Sequence, residues 1–220
     1  MEREIIKTRD GSTTIHIKDW DECYHSRFGA IQEAQHVFIK NGLSLFENKS
    51  VSILEIGFGT GLNAFITFLE SQKINQIIDY VGVEAYPILA EEVLLLNYVS
   101  ELNANTERFI FEKMHECNWE EKIVLWNDFS FTKRNQFFAA IDDVEKFDLI
   151  YFDAFGYDVQ PELWSTEIFE KMYKALKTSG VLVTYAARGV IKRSMKEVGF
   201  TVEKLPGAPG KREMFRARKG

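Results

Sequence analysis

The chain has 220 residues, of which 45% are hydrophobic and 14% aromatic; this composition excludes a disordered or fibrous protein and allows one substantial core. No apolar run approaches the roughly 20 residues needed to cross a membrane, and the N-terminal segment lacks the apolar stretch of a secretory signal. The two cysteines, Cys23 and Cys117, are too few and too distant for a structural zinc site, and free thiols suit a reducing compartment. We therefore expect a cytoplasmic protein without a metal site.

The first 48 residues are predicted to form an extension that packs on a larger domain. Residues 4–18 contain two β-rich runs on either side of Arg9–Ser12, which indicates a hairpin. Apolar residues recur at helical spacing over 29–41. The main domain is predicted over 49–220, and we expect both parts to form one structural unit.

Apolar runs that alternate with helical patterns predict the sheet of the main domain. Four runs suit strands buried on both faces of a parallel sheet, namely 51–56, 77–83, 147–152 and 181–185. A further strand is expected to end at Asp128. Helical patterns cover 62–72, 87–98, 107–121, 133–143 and 164–178. A helix at 190–198 and two antiparallel strands at 200–205 and 213–218 complete an α/β fold with a mostly parallel sheet and helices on both faces.

The sharpest local motif is a glycine loop between the strand at 51–56 and the helix at 62–72. Gly57, Gly59 and Gly61 follow one another with single-residue spacing. Glycines allow a turn with positive φ and let a ligand approach the backbone. The dinucleotide fingerprint has the spacing GxGxxG, whereas this GxGxG spacing resembles the first motif of S-adenosylmethionine-dependent methyltransferases.

Four acids have positions that suggest a role in binding. Glu84 ends the second predicted strand, 23 residues after Gly61, where an acid can accept both ribose hydroxyls of a nucleoside. Asp128 and Asp153 follow two other predicted strands, and Glu55 lies inside a buried strand, where a carboxyl needs partners. The alternative for the first three is a surface or turn-capping acid.

Positive charge is concentrated at the end of the chain. The net charge is −6, yet residues 188–220 contain ten Lys and Arg against three acids, a local charge of +7. A basic end on an acidic body can attract a polyanion. The alternative is an ordinary solvated face.

Several segments together resemble the methyltransferase half of the bacterial bifunctional tRNA modification enzyme MnmC and its stand-alone relatives. The most specific is Gly210–Met214, because a KREM run after a glycine loop has no generic reason to occur. The other matching segments are Trp20–Ser26, Gly29–Phe38, Glu55–Asn63, Glu84–Pro87, Asp153–Phe155 with Pro161 and Trp164, Thr184–Arg193, and Gly199–Phe200.

The resemblance implies a Rossmann-like class I fold with S-adenosylmethionine as the cofactor. It also implies N-methylation of the 5-aminomethyl group of 5-aminomethyl-2-thiouridine at the wobble position, with the tRNA anticodon loop as the substrate. The FAD-dependent half has no counterpart, because no second glycine fingerprint occurs in the chain. A separate FAD-dependent enzyme acting upstream is therefore a candidate partner.

The motifs and the resemblance assign site residues in three groups. The cofactor-binding group is Glu55, Gly57, Phe58, Gly59, Gly61, Asn63, Glu84, Asp128 and Asp153, together with Tyr24, Ser26 and Glu33, which rest on the resemblance alone. Asp153 is also the expected catalytic residue, because it can hydrogen-bond the amine and aim its lone pair. The substrate-binding group is Phe155, Tyr157, Tyr185, Lys192, Arg193, Lys211 and Arg212, with aromatic residues for the base and cations for phosphates.

Two departures from the family pattern lie near the expected substrate side. Gly156–Tyr157 stands where the family usually has a proline, and the loop before the KREM run reads Gly207–Gly210. Two alternatives within the enzymes are a methyltransferase and an aminopropyltransferase that act on a small amine or a protein. An alternative of another class is a non-catalytic RNA-binding module on the same fold.

Overall fold

A computed structural model describes residues 2–47 and 49–220. Its centre is an eight-stranded sheet of order β10-β11-β9-β8-β4-β5-β7-β6. The strands are β4 (Val51–Ile56), β5 (Ile78–Glu84), β6 (Lys122–Trp126), β7 (Phe129–Asn135), β8 (Phe147–Phe152), β9 (Leu176–Thr184), β10 (Thr201–Pro206) and β11 (Glu213–Arg218). The five central strands run parallel, while β6, β10 and β11 pair antiparallel with their neighbours. The predicted mostly parallel sheet with an antiparallel C-terminal pair is confirmed.

Helices cover both faces of this sheet, because alternate residues of the central strands belong to two different core clusters. Ile53 joins the cluster that includes helices α1, α2 and α5, while Leu54 joins the cluster that includes α6 and α7. The helices are α1 (Ala30–Ala34), α2 (Leu62–Lys73), α3 (Ala90–Leu94), α4 (Tyr98–Glu101), α5 (Arg108–Glu116), α6 (Thr166–Ala175) and α7 (Gly189–Glu197). Both faces of β4 and β8 are therefore buried, as the apolar runs predict.

The N-terminal extension forms a second, three-stranded sheet. Its strands are β1 (Arg3–Lys7), β2 (Thr13–Ile17) and β3 (Glu22–Cys23), so the predicted hairpin is present and gains a third strand. The hairpin turn is held by the Asp10 carboxylate, which accepts hydrogen bonds from the backbone N–H and hydroxyl of Ser12. Helix α1 continues as a π-helical turn over Gln35–Lys40, and its apolar side joins the main core. The boundary predicted at residue 48 lies outside the described residues.

The structure overturns the prediction for residues 122–143. The apolar run before Asp128 is β6, which runs antiparallel to β7, and Asp128 lies in the turn of this hairpin. The third strand of the parallel set is instead β7, so the helix predicted over 133–143 is absent and a short 3₁₀ turn, Phe138–Ala140, follows the strand. Alternating residues of β7 are buried, which is strand periodicity.

Candidate active site

The parallel strands end at a common edge of the sheet, and a crevice of two connected compartments lies there. The larger compartment is a cavity of about 480 Å³ next to the glycine loop, and the smaller measures about 270 Å³. Residues that line both are Cys23, Tyr24, His25, Asp153 and Tyr185. The crevice lies beside the neighbouring strands β4 and β8, from which the chain continues in opposite directions across the sheet. Such a switch point is where open α/β sheets bind ligands.

The glycine loop is fixed to the neighbouring strands by its backbone. The N–H groups of Gly57 and Phe58 both donate to the carbonyl of Val83, at 3.0 Å. Gly57 has φ +89°, and a Cβ at this position would lie 2.6 Å from the carbonyl oxygen of Asp153. Only glycine therefore lets the loop pass this close to the end of β8. Gly57 and Gly59 line the larger compartment.

Glu84 lies where the sequence predicts it, at the end of β5 beside the glycine loop. Its carboxylate accepts hydrogen bonds from the N–H of Gly59 and of Tyr86, both at 2.9 Å. The side chain lines the larger compartment. The loop and this acid thus form one wall, in the arrangement that binds a ribose in Rossmann-like proteins.

Asp153 lies where the two compartments meet. Its Oδ2 accepts a hydrogen bond of 2.8 Å from the side-chain amide of Asn63. Burial, and secondarily the charge of Glu33, raises the pKa of Asp153 to about 7, although Asn63 and Lys211 oppose the rise. A carboxyl with a pKa near neutrality can both accept and return a proton under physiological conditions.

Glu55 and Asn63 support Asp153 from behind and do not line either compartment. The Asn63 amide also donates to Glu55 Oε1 at 2.9 Å, and the Tyr80 hydroxyl donates to Glu55 Oε2 at 2.8 Å. Burial raises the pKa of Glu55 well above its usual value. The polar groups of Glu55 and Asn63 bind each other, Tyr80 and Asp153, and the contact of the two residues with the cofactor stays a prediction.

Three further residues that are predicted to bind the cofactor do not line either compartment. Asp128 is exposed and its carbonyl accepts the N–H of Ile78 at the start of β5, so it lies at the opposite edge of the sheet. Phe58 is 4% exposed and packs on Phe131 with ring centroids 5.7 Å apart, within the core behind the loop. Gly61 starts α2 with φ +73° and also lies outside both compartments. Phe58 and Gly61 belong to the family motif because the motif specifies the conformation of the glycine loop as well as the residues that contact a ligand.

The smaller compartment is built from both ends of the chain. Ser26 donates its backbone N–H to Glu33 at 3.1 Å, and Glu33 Oε1 lies 2.5 Å from the ammonium of Lys211. The same ammonium lies 3.8 Å over the ring of Tyr185. The structure thus brings together Ser26, Glu33, Tyr185 and Lys211, as well as Tyr24, which borders Gly59.

Aromatic residues line the crevice selectively. Phe155 lines the larger compartment and packs edge-on against Tyr24, at 5.0 Å between ring centroids. Tyr185 lines both compartments and donates its hydroxyl to the carbonyl of Ala154 at 2.8 Å. Tyr157 lines neither and lies under the guanidinium of Arg188, at 5.7 Å. Its predicted role in binding the base stays a prediction.

Sequence reasoning missed His25 and the segment after β7. His25 lines both compartments, and its Nε2 shares a 2.7 Å hydrogen bond with the Thr60 hydroxyl of the glycine loop. Burial lowers its pKa to about 4, so the ring is neutral. Phe137 and Phe138 line the larger compartment. The position of His25 between Tyr24 and Ser26 was a usable signal, whereas Phe137 and Phe138 were hidden by the predicted helix.

The predicted phosphate-binding cations fall into two groups. Lys192 and Arg193 are the fourth and fifth residues of α7, which begins five residues after the carboxyl end of β9. Arg193 and Arg212 are exposed, and Lys192 is partly exposed. Lys211 differs, because it points into the smaller compartment and pairs with Glu33.

Within residues 2–47 and 49–220, no helix is long and apolar enough to cross a membrane. Within the same ranges, no group of three or more His, Cys, Asp or Glu residues is placed to hold a metal ion.

Several known proteins resemble this chain in sequence. A family model described as S-adenosyl-L-methionine-dependent methyltransferase matches residues 108–220. Two relatives named tRNA 5-methylaminomethyl-2-thiouridine biosynthesis bifunctional protein MnmC, from Nitrosospira multiformis and a Marinomonas species, are both 29% identical over 88% and 90% of the chain. The chain spans only 33% and 31% of their lengths, about one third.

Solved structures show the same fold. The crystal structure of MNMC2 from Aquifex aeolicus matches 98% of this chain and 70% of its own, with a TM-score of 0.78 and 26% identity. Spermidine synthase from Thermotoga maritima matches 99% of this chain and 72% of its own with a TM-score of 0.57, but at 12% identity this likeness concerns the fold alone. The class I fold and the resemblance to the MnmC methyltransferase half are confirmed.

Proposed function

Since the chain belongs to the family of S-adenosyl-L-methionine-dependent methyltransferases, we propose that it N-methylates the 5-aminomethyl group of 5-aminomethyl-2-thiouridine at the wobble position of tRNA, giving the 5-methylaminomethyl form. The observation that carries this proposal is the pair of compartments that meet at Asp153. One compartment suits the cofactor and the other suits an amine, with a carboxyl between them. The names of the relatives supply the tRNA nucleoside.

The larger compartment fits S-adenosylmethionine. Its volume of about 480 Å³ is within the range of small-molecule sites, roughly 300–1,000 Å³. The backbone of Gly57 and Gly59 borders it without side chains, and Glu84 offers a carboxylate for ribose hydroxyls. We place the adenine against Phe137 and Phe138, which follow β7, the outermost parallel strand on that side of the sheet, instead of beside Asp128.

The cofactor supplies an electrophilic methyl group on a sulfonium, so the protein has to present a neutral amine with its lone pair in line. Asp153 is placed to accept a hydrogen bond from the amine and to aim the lone pair at the methyl group. Methyl transfer would form the nitrogen–carbon bond as the carbon–sulfur bond breaks, with the electrons of the broken bond remaining on sulfur. Asp153 would accept the proton that the methylated nitrogen then loses.

The modified base requires an accessible pocket and a surface for the phosphates beside it. A wobble uridine lies in a single-stranded loop, where a base can turn out and stack on aromatic residues. Phe155 and Tyr185 supply such faces at the crevice. Lys192, Arg193 and Arg212 are proposed to hold the backbone. The 5-aminomethyl precursor would come from a separate FAD-dependent enzyme acting upstream.

The proposal is tested by a methylation assay with a matched variant. Purified protein is mixed with labelled S-adenosylmethionine and tRNA that carries 5-aminomethyl-2-thiouridine, and nucleosides are analysed by mass spectrometry. We expect label in 5-methylaminomethyl-2-thiouridine. Asp153→Asn should lower kcat about 100-fold or more and change the cofactor Kd less than threefold, because the amide keeps the shape but cannot accept the proton.

Two outcomes would contradict this function. Label that appears only on polyamines or proteins would assign the enzyme to the alternative substrates. An Asp153→Asn variant with the wild-type turnover number would remove Asp153 from the reaction.

A further inference from the structure

Lys211 is the one cation of the KREM run that enters the crevice. It follows Gly210, whose φ of +85° turns the loop between β10 and β11. A Cβ at Gly210 would lie 2.4 Å from the ring of Phe28, so the turn is pressed against the wall of the smaller compartment. The neighbouring Arg212 is exposed to solvent. The loop geometry therefore directs Lys211 inward and Arg212 outward.

The ammonium of Lys211 is fixed on two sides. Glu33 Oε1 lies 2.5 Å away, and the ring face of Tyr185 lies 3.8 Å away. The Tyr185 hydroxyl is itself tied to the carbonyl of Ala154, next to Asp153. A cation over an aromatic face and against a carboxylate has little freedom to leave. The positive charge thus forms part of the compartment wall.

Without Lys211, the net charge around the smaller compartment would be negative. Glu33 from α1 and Asp153 after β8 face it, and Asp21 and Glu22 line its mouth. Arg27, the second cation, is paired with Asp21 at 3.0 Å. His25 carries no charge at neutral pH because burial lowers its pKa to about 4, and burial raises the pKa of Tyr185 well above its usual value. Lys211 is therefore the cation that offsets Glu33 and Asp153.

An acidic compartment would bind the wrong form of the methyl acceptor. An aliphatic amine has a pKa of about 10, so roughly one molecule in a thousand is neutral at pH 7. Two carboxylates without Lys211 would hold the ammonium form, whose nitrogen has no free lone pair. The fixed positive charge of Lys211 disfavours the ammonium form by direct repulsion.

We propose that Lys211 is a positioning residue for methyl transfer: its ammonium, fixed between Glu33 and the face of Tyr185, disfavours a second positive charge beside Asp153 and so selects the neutral form of the acceptor amine. This inference rests on the proposed function, since it takes a primary aliphatic amine as the acceptor. The proton leaves the amine to solvent before the nitrogen–carbon bond forms, so Asp153 stays available for the proton that the methylated nitrogen loses. The same repulsion promotes loss of the proton from the methylated nitrogen.

The first test is the pH profile of kcat for tRNA carrying 5-aminomethyl-2-thiouridine, because kcat reports the ionisation of groups in the enzyme–substrate complex. Lys211→Met keeps the length of the side chain and removes its charge, so the acidic limb should move about one pH unit upward. Lys211→Arg should bring the limb back towards the wild-type position. The matched control is Lys204→Met, which removes a charge from the same hairpin at a lysine that pairs with Glu213 at 3.1 Å and does not line the crevice. A Lys211→Met limb at the wild-type position would overturn the proposal.

A second test does not depend on activity. In the protein without substrate, the titration of the Asp153 carboxyl is followed by carbon-13 NMR. Removal of the Lys211 charge should move the midpoint upward, since this charge is one of the two influences that lower the pKa of Asp153. An unchanged midpoint would show that the charge does not reach the reaction centre and would overturn the inference. A wild-type protein that methylates no tRNA would instead contradict the proposed function, and the NMR result would still decide whether Lys211 acts on Asp153.

Discussion

Glu84 and Asp128 both follow apolar strands in the sequence, yet the structure places them at opposite edges of the sheet. Glu84 ends a parallel strand and faces the crevice, while Asp128 lies in a hairpin turn after an antiparallel strand. An acid after a strand lies at the ligand-binding edge only if that strand runs parallel to the others. The two residues are therefore a natural pair for testing the position of the cofactor.

Glu84→Gln should weaken the binding of S-adenosylmethionine about 10- to 100-fold, because hydrogen bonds to a charged acceptor contribute roughly 1.5–3 kcal/mol. Isothermal titration calorimetry measures the Kd directly. Asp128→Asn is the control, with an expected Kd within twofold of the wild type. Equal losses in the two variants, or a loss confined to Asp128→Asn, would contradict the cofactor position.

Single residues were predictable where a local signal marked them. Asp153 and Glu84 end buried strands and were found in this way, and their positions in the crevice agree with that expectation. Asn63 was recognised as part of the motif, but its function depends on side chains far along the chain, since its amide joins Glu55 to Asp153. No spacing rule encodes such a bridge, because it depends on how the sheet and helix α2 are packed.

The glycine loop is the element whose local conformation sets the shape of the crevice. At Gly57 two conditions coincide, a φ of +89° and the carbonyl of Asp153 where a Cβ would stand. Gly189, at the start of α7, meets neither condition, since its φ is not in the left-handed region and the nearest atom to an added Cβ is 3.7 Å away. Gly57 in the loop and Gly189 in α7 therefore form a matched pair, in which only Gly57 should be intolerant of a side chain.

Gly57→Ala should lower the free energy of unfolding by roughly 2–4 kcal/mol and abolish measurable cofactor binding, because the side chain meets both strain and backbone. Gly189→Ala should change stability by less than about 1 kcal/mol, in the stabilising direction. Denaturant unfolding with and without S-adenosylmethionine measures both effects. Cofactor binding by Gly57→Ala at the wild-type Kd would show that the loop does not need its present conformation.

The hairpin of β6 and β7 shows why element order was only partly predictable. Leu125–Phe129 has the composition of a strand end, and residues 133–143 contain enough apolar residues for a helical pattern. The structure uses Phe129 and Phe131 as inward residues of β7, stacked near Tyr80 at 6.0 Å. Periods of two and 3.6 are hard to distinguish over so few residues, and contacts with β5 decide between them. Each of the four strongly apolar runs, 51–56, 77–83, 147–152 and 181–185, overlaps a strand of the sheet.

At the scale of the whole molecule, the charge is asymmetric. The basic end contributes β10, β11 and α7, and the start of α7 lies on the same side of the sheet as the crevice. Lys49 and Lys73 lie instead near the start of β4 and at the end of α2, beside the opposite edge. A tRNA that inserts its wobble base into the crevice would contact Lys192 and Arg193 at the start of α7. It would not contact Lys49 and Lys73.

Reversal of both charges in Lys192→Glu/Arg193→Glu should weaken tRNA binding about tenfold or more at low salt. It should also reduce the slope of log K against log salt by up to about 2, since each phosphate contact contributes about 0.9. The control Lys49→Glu/Lys73→Glu makes the same change of net charge at the other edge and should have a much smaller effect. Similar losses in both variants would indicate attraction by net charge alone.

The pairing of Glu33 with Lys211 joins residues that are almost the whole chain apart. Loop closure over such a separation is costly, so contacts of this kind form late in folding. During synthesis on the ribosome, the glycine loop emerges well before the hairpin of β10 and β11. A nascent chain would therefore present its cofactor-binding loop before Lys211 can pair with Glu33, and the acceptor compartment would be completed only after that hairpin has emerged.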